Sequence, residues 1–319
     1  MKTLIRIALA LPGMAALWAR RAQVGGQAVI EGVMMRGVEH WSLAVRRPDD
    51  SIGVHDFPLV SWTQRHPILK VPIVRGVVAL VESLAIGVRA LTMSANESMG
   101  EEDEPLGRKE IGGTLLVAVV FAVGLFFLAP LFVTGLFRHW IGGGYLFWAV
   151  EGCVRVAIFL AYLAIITQIK DLRRVFEYHG AEHMSIHALE HGQELTVDNV
   201  EGFGTLHLRC GTSFLLIVLV VAVFVFAFVG RPVWYLLILS RVILIPLIAG
   251  ISFEIIKFAG RHEGNFLVRA IMAPGLALQW MTTKKPDRAQ IEVAIAALDK
   301  VIELEPQDRP PVKGVEVMA

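Results

Sequence analysis

The residues best suited to chemistry in this sequence are imidazole, carboxylate and thiolate side chains within one polar stretch. His179, Glu182 and His183 lie close together, and His207 and Cys210 follow further along the same stretch. Imidazole nitrogen and thiolate sulfur are ligands of zinc and of other late first-row metals. The stretch therefore predicts a metal site with His179, His183, His207 and Cys210 as ligands and Glu182 as a general base beside them.

The histidine spacing limits how these ligands can share one ion. Four histidines follow one another at intervals of four residues, namely His179, His183, His187 and His191. In an α-helix neighbours in this series rise by ~6 Å and can share an ion, whereas members eight residues apart are ~12 Å apart along the axis. A mononuclear site therefore needs ligands from elsewhere. We expect His207 and Cys210 to fold back and supply them, rank His187 second, and expect His191 to face solvent.

A short motif supports the same chemistry, and simpler interpretations compete with it. His179 to His183 matches the H-x-x-E-H pattern of zinc enzymes, in which the histidines bind zinc and the glutamate activates water. Histidines at helical spacing can equally form a solvated face, with Cys210 an ordinary half-buried residue. Glu182 can equally be an outer carboxylate that orients a ligand imidazole. Gly180, inside the motif, is a poor residue for a helix interior.

The composition places this site next to a membrane. Hydrophobic residues make up 55% of the 319 residues and charged residues 18%, and the mean hydropathy is +0.59, which is too apolar for an ordinary soluble domain. The net charge is +1, so no nucleic-acid partner is expected. Cys153 lies in an apolar run and Cys210 in a polar stretch, which argues against a disulfide and favours a reducing compartment.

Four segments are long and apolar enough to cross a bilayer, which requires ~20 mostly apolar residues. They form a first transmembrane pair within 112–168 (112–137 and 144–168) and a second pair within 212–258 (212–230 and 233–258). The histidines lie in the loop 169–211 between the pairs. Lys and Arg near the span ends number two, one, four, one and three from the first flank to the last. The larger counts mark the cytoplasmic side, so we expect a multi-pass membrane protein with the histidine loop and both termini in the cytoplasm.

The remaining segments complete the expected fold class, an α-helical integral membrane protein with four transmembrane helices, interfacial helices and a small N-terminal antiparallel β unit. These segments are an interfacial helix at 1–21 (or the front half of a signal peptide), the β unit at 23–62, an amphipathic helix at 72–95, interfacial and amphipathic helices at 266–303, and a disordered tail at 304–319. We expect Pro274 and Gly275 to break the first helix of 266–303.

Charged residues inside the predicted spans need partners, because an unpaired charge in hydrocarbon costs several kcal/mol. Glu151 and Arg241 lie at similar depth in their spans, so we expect them to form an ion pair, with Arg155 one helical turn from Glu151. Glu254, at the opposite end of its span from Arg241, could add a carboxylate to the metal site.

Several motifs of this chain resemble those of the YqhQ-like proteins, an uncharacterised family of bacterial membrane proteins. The motifs are Gly26 to Arg36, Glu177 to His183, His207 with Arg209 to Phe214, and Pro274-Gly275-Leu276 with Gln279, Thr282 and Thr283. They extend over nearly the whole chain. The family is labelled a predicted metal-dependent enzyme, and its pattern includes Glu177, His179, Glu182, His183, His207 and Cys210. It lacks His187 and His191, and Leu208 stands where a proline is expected.

Three functions remain open at this point. The favoured function is a metal-dependent hydrolase at the cytoplasmic membrane surface, with zinc as the favoured ion, iron as the alternative, and a membrane lipid or lipid-linked substrate implied by location. The second is a scaffold or transporter held together by a structural metal. The third is a membrane iron oxygenase or desaturase, since HxxxH pairs occur in such enzymes. Glu31 and Arg36 could contact an anionic substrate, although we favour a role in holding the β unit together.

Overall fold

The fold is given by a computed structural model of the chain. It describes residues 24–99, 107–142, 144–207, 210–230, 233–262 and 265–305. The interfacial helix predicted at 1–21, and all but the first two residues of the tail predicted at 304–319, lie outside the described residues.

The small antiparallel β unit that the sequence predicts is present, and it is a four-stranded meander in the order β1-β2-β3-β4. Its strands are β1 Gly25–Val29, β2 Gly32–Arg36, β3 His40–Arg46 and β4 Ile52–Pro58. A two-residue turn joins β1 to β2, and Glu31 in that turn has a positive φ of 49°. Asp50, with a φ of 62°, lies in the turn between β3 and β4. These turns therefore fix the register of β1 against β2 and of β3 against β4.

The rest of the described chain is helical. The helices are α1 Trp62–Arg65, α2 Val74–Glu97, α3 Arg108–Val123, α4 Ala129–Leu136, α5 Arg138–Ile141, α6 Tyr145–Ile166, α7 Lys170–Glu190, α8 Val197–Glu201, α9 Gly211–Val229, α10 Trp234–Arg261, α11 Phe266–Thr282 and α12 Arg288–Leu304. A 3₁₀ turn, Pro67–Lys70, precedes α2, and a π-helical turn, Gly124–Leu128, joins α3 to α4. α7 ends at Glu190, and the positive φ of 68° at Gly192, two residues further on, allows the chain to turn away from the helix.

Five helices of the described residues are long and apolar enough to cross a membrane, judged by length and composition. They are Val74–Glu97, Lys109–Leu136, Leu146–Ile166, Gly211–Val229 and Tyr235–Gly260. The last four correspond to the four predicted spans. The first of the five helices, α2, is an additional candidate, since the sequence predicts an amphipathic helix outside the bilayer at this position. These helices and the sheet make the chain an α-helical multi-pass membrane protein with a small N-terminal β unit.

The sheet lies between helices on both of its faces. Val33 and Met35 of β2 point to one face, where they pack with Tyr178 of α7 and with Ile291 and Leu298 of α12. Met34 points to the other face, because successive strand side chains alternate, and it packs with Ile86 and Ala90 of α2. The sheet therefore connects α2, which also packs along α10, to the helix that carries the histidines.

The expected break at Pro274 is absent, because α11 runs continuously from Phe266 to Thr282 through the proline. Gly275, the next residue, faces α9 so closely that a Cβ would lie 3.0 Å from Ser213 Cβ. Pro274 has no backbone N–H and so removes one hydrogen bond from the helix. The close contact at Gly275 packs α11 against α9 next to this missing bond. The continuous helix carries Gln279 and Thr282 to the histidine site.

The charges in the spans pair differently from the expectation. Glu151 forms its ion pair with Arg155, one turn along α6, and both side chains are buried. The expected Glu151–Arg241 pair is absent from the ion pairs of the described residues, and the Arg241 Nη1 atom has no hydrogen-bond partner. The Arg241 guanidinium instead lies over the ring of Phe226, 3.7 Å from its centroid. Arg155 is the partner because it lies four residues from Glu151 on the same helix, where the two side chains are neighbours.

Candidate metal centre

Helix α7 carries the histidines past a segment that approaches its backbone very closely. The Lys284 N–H donates to the Phe176 carbonyl over 2.9 Å, and a Cβ at Gly180 would lie only 2.0 Å from the Lys284 oxygen. Gly180 therefore costs helix propensity but allows the segment after α11 to run alongside α7. That approach brings Thr282 next to His179.

The loop after α8 folds back onto α7, as the sequence analysis requires. Cys210 Sγ lies 3.3 Å from His179 Nε2. One ligand atom from each of His179, His183 and Cys210 lies within 4.8 Å of the other two. We call these three residues the first group. The predicted contact between the Cys210 end of the loop and the His179–His183 turn is confirmed.

Backbone carbonyls fix the orientation of both imidazoles in the first group. His179 Nδ1 lies 2.8 Å from the Thr282 oxygen, and His183 Nδ1 lies 2.5 Å from the Thr205 oxygen. A carbonyl only accepts, so each Nδ1 must carry the proton, and Nε2 is the nitrogen that can offer a lone pair to an ion. His183 Nε2 is buried and has no hydrogen-bond partner. This is the orientation that metal-binding histidines adopt in proteins.

Burial shifts the pKa values of His183 and Cys210 in opposite directions. Burial lowers the pKa of His183 well below its usual range, with further lowering by the neighbouring His179, so this ring is neutral and able to bind a metal. Burial raises the pKa of the Cys210 thiol, while hydrogen bonds involving Thr212 oppose the increase. Cys210 is the N-cap of α9, and its sulfur accepts from the Thr212 N–H over 3.4 Å. The helix N-terminus and a bound cation both favour the thiolate.

Glu182 lies beside the first group and is completely buried. Its Oε2 is 3.9 Å from both His179 Nε2 and His183 Nε2, and its Oε1 has no hydrogen-bond partner. The backbone N–H of Gly26 in β1 donates to this carboxylate. Burial raises the pKa of Glu182 to about 7, and the nearby His179 opposes the increase. A cation bound in the first group would add a larger opposing effect.

His207, the fourth predicted ligand, lies in a second group. One ligand atom from each of His187, Glu190 and His207 lies within 4.8 Å of the other two, and His207 Nε2 is 3.2 Å from Glu190 Oε2. The structure thus divides the four predicted ligands three to one. His191 lies one turn beyond, is exposed, and has its ring against Phe203, so its predicted solvent exposure is confirmed.

The side chain of Gln279 positions the His207 backbone. Gln279 Oε1 accepts from the His207 N–H over 2.8 Å, and its Nε2 donates to the His207 carbonyl over 2.7 Å. The same amide donates to Ser213 Oγ at the start of α9 over 3.0 Å. Sequence reasoning gave Gln279 no role beyond its place in a motif. A buried glutamine among apolar residues of α11 was the available signal.

The other charged candidates have structural partners. Arg36 binds Glu82 and Ser83 of α2, Glu31 binds Arg174, Glu177 accepts from Gln290, and Glu254 binds Arg75. Glu31 and Arg36 therefore tie the β unit to α7 and α2, whereas the sequence analysis favours a role in holding the unit itself together. The suggestion that Glu254 joins the metal site is wrong, because its carboxylate is paired with an arginine of α2.

Two comparisons with known proteins identify the family of the chain. Residues 71–304 match a family described as "Protein of unknown function (DUF1385)". The chain is 35% identical over 295 residues to "Uncharacterized protein YqhQ" of Bacillus subtilis (strain 168), covering 88% of this chain and 92% of that protein. No solved structure matches the chain. The family match covers both spatial groups and all five candidate spans, and the chain therefore belongs to the YqhQ-like family of proteins of unknown function (DUF1385).

Proposed function

We propose that the chain is a membrane-embedded metal-dependent hydrolase in which His179, His183 and Cys210 bind one divalent ion and Glu182 is the general base. The observation that carries this proposal is the His183 Nε2 atom, which is buried and unpartnered while its Nδ1 is fixed by the Thr205 carbonyl. A buried polar atom left unpaired costs about 1–3 kcal/mol. A bond to a metal ion would remove that cost.

The donor set suits zinc. Two imidazoles and one thiolate provide three protein ligands, and catalytic zinc sites keep a fourth position for water or substrate. The thiolate makes the set softer than the carboxylate-rich sites of magnesium or calcium. Iron is the alternative ion, because imidazole binds it as well.

The position of Glu182 supports a role in moving a proton. A bound ion would lower the pKa of a water molecule in its open position. Glu182 Oε1 is the carboxylate oxygen without a partner, so it can accept a proton from that water and return it to a leaving group. Gly26 of β1 packs directly against this carboxylate and helps to hold it in place.

The site lies where a substrate from the bilayer could reach it. Cys210 immediately precedes the candidate span Gly211–Val229, so the first group lies at the end of a membrane-crossing helix. A lipid or a lipid-linked molecule at this surface is therefore the proposed substrate class. The distribution of Lys and Arg supports placing this surface on the cytoplasmic side of a bacterial inner membrane.

The first test is elemental analysis of the protein purified in detergent. The wild type should contain zinc, and His183→Ala and Cys210→Ala should each lose an ion. His191→Ala is the matched control, because His191 is an exposed histidine of the same series, and it should keep the wild-type content. Equal metal content in all four proteins would remove the proposed site.

The second test concerns the role of Glu182. Wild type and Glu182→Gln are incubated with a panel of ester and phosphoester lipids in mixed micelles, and the products are identified by mass spectrometry. We expect Glu182→Gln to keep its metal and to lose 10²- to 10⁴-fold in rate, the range typical of a lost general base. Two iron ions per wild-type chain, with oxidised rather than hydrolysed products, would replace the hydrolase with the oxygenase alternative.

A structural metal clip is the second candidate, and one distance favours it. Glu182 Oε2 lies 3.9 Å from both ring nitrogens, so a small movement would make it a fourth ligand and close the site. The ion would then tie α7 to the start of α9. In that case Glu182→Gln would lose the metal and its melting temperature would decrease together with that of Cys210→Ala.

A further inference from the structure

The second group contains metal ligands that the proposed hydrolase does not use. His187 and Glu190 are three residues apart near the end of α7 and therefore share a helix face. His207 approaches them from the loop before α9, and its ring centroid is 4.8 Å from that of His187. One donor atom from each residue lies within 4.8 Å of the other two. Donors bonded to one ion at ~2.0–2.2 Å lie at most ~4.4 Å apart, so at most a small movement of these side chains is needed to bring all three onto one ion.

The structure holds these donors in place before any ion arrives. Gln279 binds both backbone groups of His207, and His207 is 6% exposed. His187 Nε2 lies 2.7 Å from the Leu206 carbonyl oxygen, so this nitrogen carries a proton and the lone pair of the neutral ring is on Nδ1. A backbone carbonyl thus orients His187 as well, although through Nε2 where His179 and His183 use Nδ1.

The two groups are neighbours. The ring centroids of His183, in the first group, and His207, in the second, are 5.7 Å apart. The Glu182 carboxylate interacts electrostatically with His179 and Cys210 of the first group and with His207 of the second. Its buried Oε1 has no hydrogen-bond partner. Two metal ions that lie close together can stabilise both the attacking and the leaving oxygen of a hydrolytic reaction.

We propose that the chain binds two divalent metal ions side by side and that His187, Glu190 and His207 hold the second one. This inference rests on the proposed function, because the second ion would assist the hydrolysis at the first. The second donor set has two imidazoles and a carboxylate but no thiolate, so it is harder than the first set. The second ion is therefore the one that a chelator removes first.

The test measures zinc bound per chain in the full-length protein. Wild type is loaded with zinc in detergent, freed of excess by gel filtration, and analysed by elemental mass spectrometry. We expect two ions in wild type, one in His187→Ala and one in Glu190→Gln. His191→Ala, at the exposed histidine one turn further on, should retain two. Thermal unfolding of each variant confirms that the protein is folded.

Cobalt identifies which ion is lost. Only the first group contains sulfur, so only that ion gives a thiolate-to-cobalt charge-transfer band. We expect His187→Ala to keep this band at full strength and Cys210→Ala to lose it while still binding one cobalt ion. One ion per wild-type chain that persists in His187→Ala and disappears in Cys210→Ala would overturn the second site and leave the proposed function standing. No ion in wild type would overturn both.

Discussion

Gly26 in the first strand is in direct contact with Glu182 in the histidine helix. The Gly26 N–H donates to the carboxylate, and a Cβ at position 26 would lie 2.7 Å from Glu182 Cγ. Only glycine therefore allows β1 to lie against the buried acid. The N-terminal motif and the histidine motif, far apart in the sequence, form one site through this contact.

Replacement of Gly26 should disturb Glu182 directly. We expect Gly26→Ala to displace the carboxylate and to destabilise the fold by about 1–3 kcal/mol, the usual cost of overpacking a buried site. Gly204→Ala is the control, since a Cβ there meets nothing within 4 Å. Thermal unfolding in detergent measures the difference. Equal melting temperatures for the two variants would show that the contact is not tight.

Replacement of Gly180 should have a larger effect. The Cβ of Gly180→Ala would lie 2.0 Å from the Lys284 oxygen, and a backbone atom cannot move aside as a flexible side chain can. The segment after α11 must shift, and with it the Thr282 carbonyl that orients His179. We expect a lower melting temperature than for Gly26→Ala and reduced zinc content. Wild-type zinc content in folded Gly180→Ala would contradict this explanation.

Loss of the Gln279 amide should affect the second group more than the first. Gln279→Leu removes both bonds to the His207 backbone and leaves buried polar groups unpaired, at about 1–3 kcal/mol for each such group. We expect zinc per chain to decrease by one ion. Gln290→Leu, at another fully buried glutamine that binds Glu177, should lower stability without changing zinc content.

Acidification should remove the stabilisation from the Glu31–Arg174 pair. The hydrogen bond from Arg174 holds the pKa of Glu31 below its ordinary value of 4.5. The pair therefore stabilises the fold fully above pH 4.5, and this contribution is lost as the pH falls through the lower folded-state pKa. The Arg174 side chain is half exposed, so the contribution is about 1 kcal/mol or less. Wild type and Arg174→Gln should differ in melting temperature at pH 7 and converge in acid; a constant difference would contradict the assignment.

The buried pair in α6 should be sensitive to loss of its acid. Glu151→Ala leaves Arg155 buried without its partner, which typically costs about 3–5 kcal/mol. Arg241→Met preserves the Glu151–Arg155 pair and replaces a guanidinium whose Nη1 is unpartnered. We therefore expect a large decrease in melting temperature for Glu151→Ala and a small change for Arg241→Met. The reverse order would show that Glu151 mainly serves Arg241.

Much of the fold could be predicted because its signals are local. Four spans follow from hydropathy, and the strands follow from short β-branched runs bounded by turn residues. Helix α2 was harder, since Arg75, Glu82 and Arg89 interrupt its apolar sequence. Glu82 is buried against Arg36 of the sheet, so its charge marks a tertiary contact. No local pattern distinguishes that contact from a solvated helix face.

The site was predicted only in part, because residue spacing along one helix is a local signal, whereas the contacts that complete the site are not local. Spacing along α7 showed that one ion cannot bind both His179 and His187, and that the loop must fold back. It could not show that His207 joins His187 while Cys210 joins His179. That division depends on Gln279 and on the carbonyls of Thr205 and Leu206. Backbone carbonyls leave no signature in the side-chain sequence.

The contacts of the first group draw on widely separated parts of the chain, and this sets an order on its assembly during synthesis. Glu182 needs the N–H of Gly26, which the ribosome makes early. His179 needs the carbonyl of Thr282, which emerges only after the last candidate span has been completed. A nascent chain that ends before α11 therefore lacks one of the groups that orient the ligands. If the first group binds an ion as proposed, the site can be completed only after α11 has been synthesised, and a chain truncated before α11 should bind less metal.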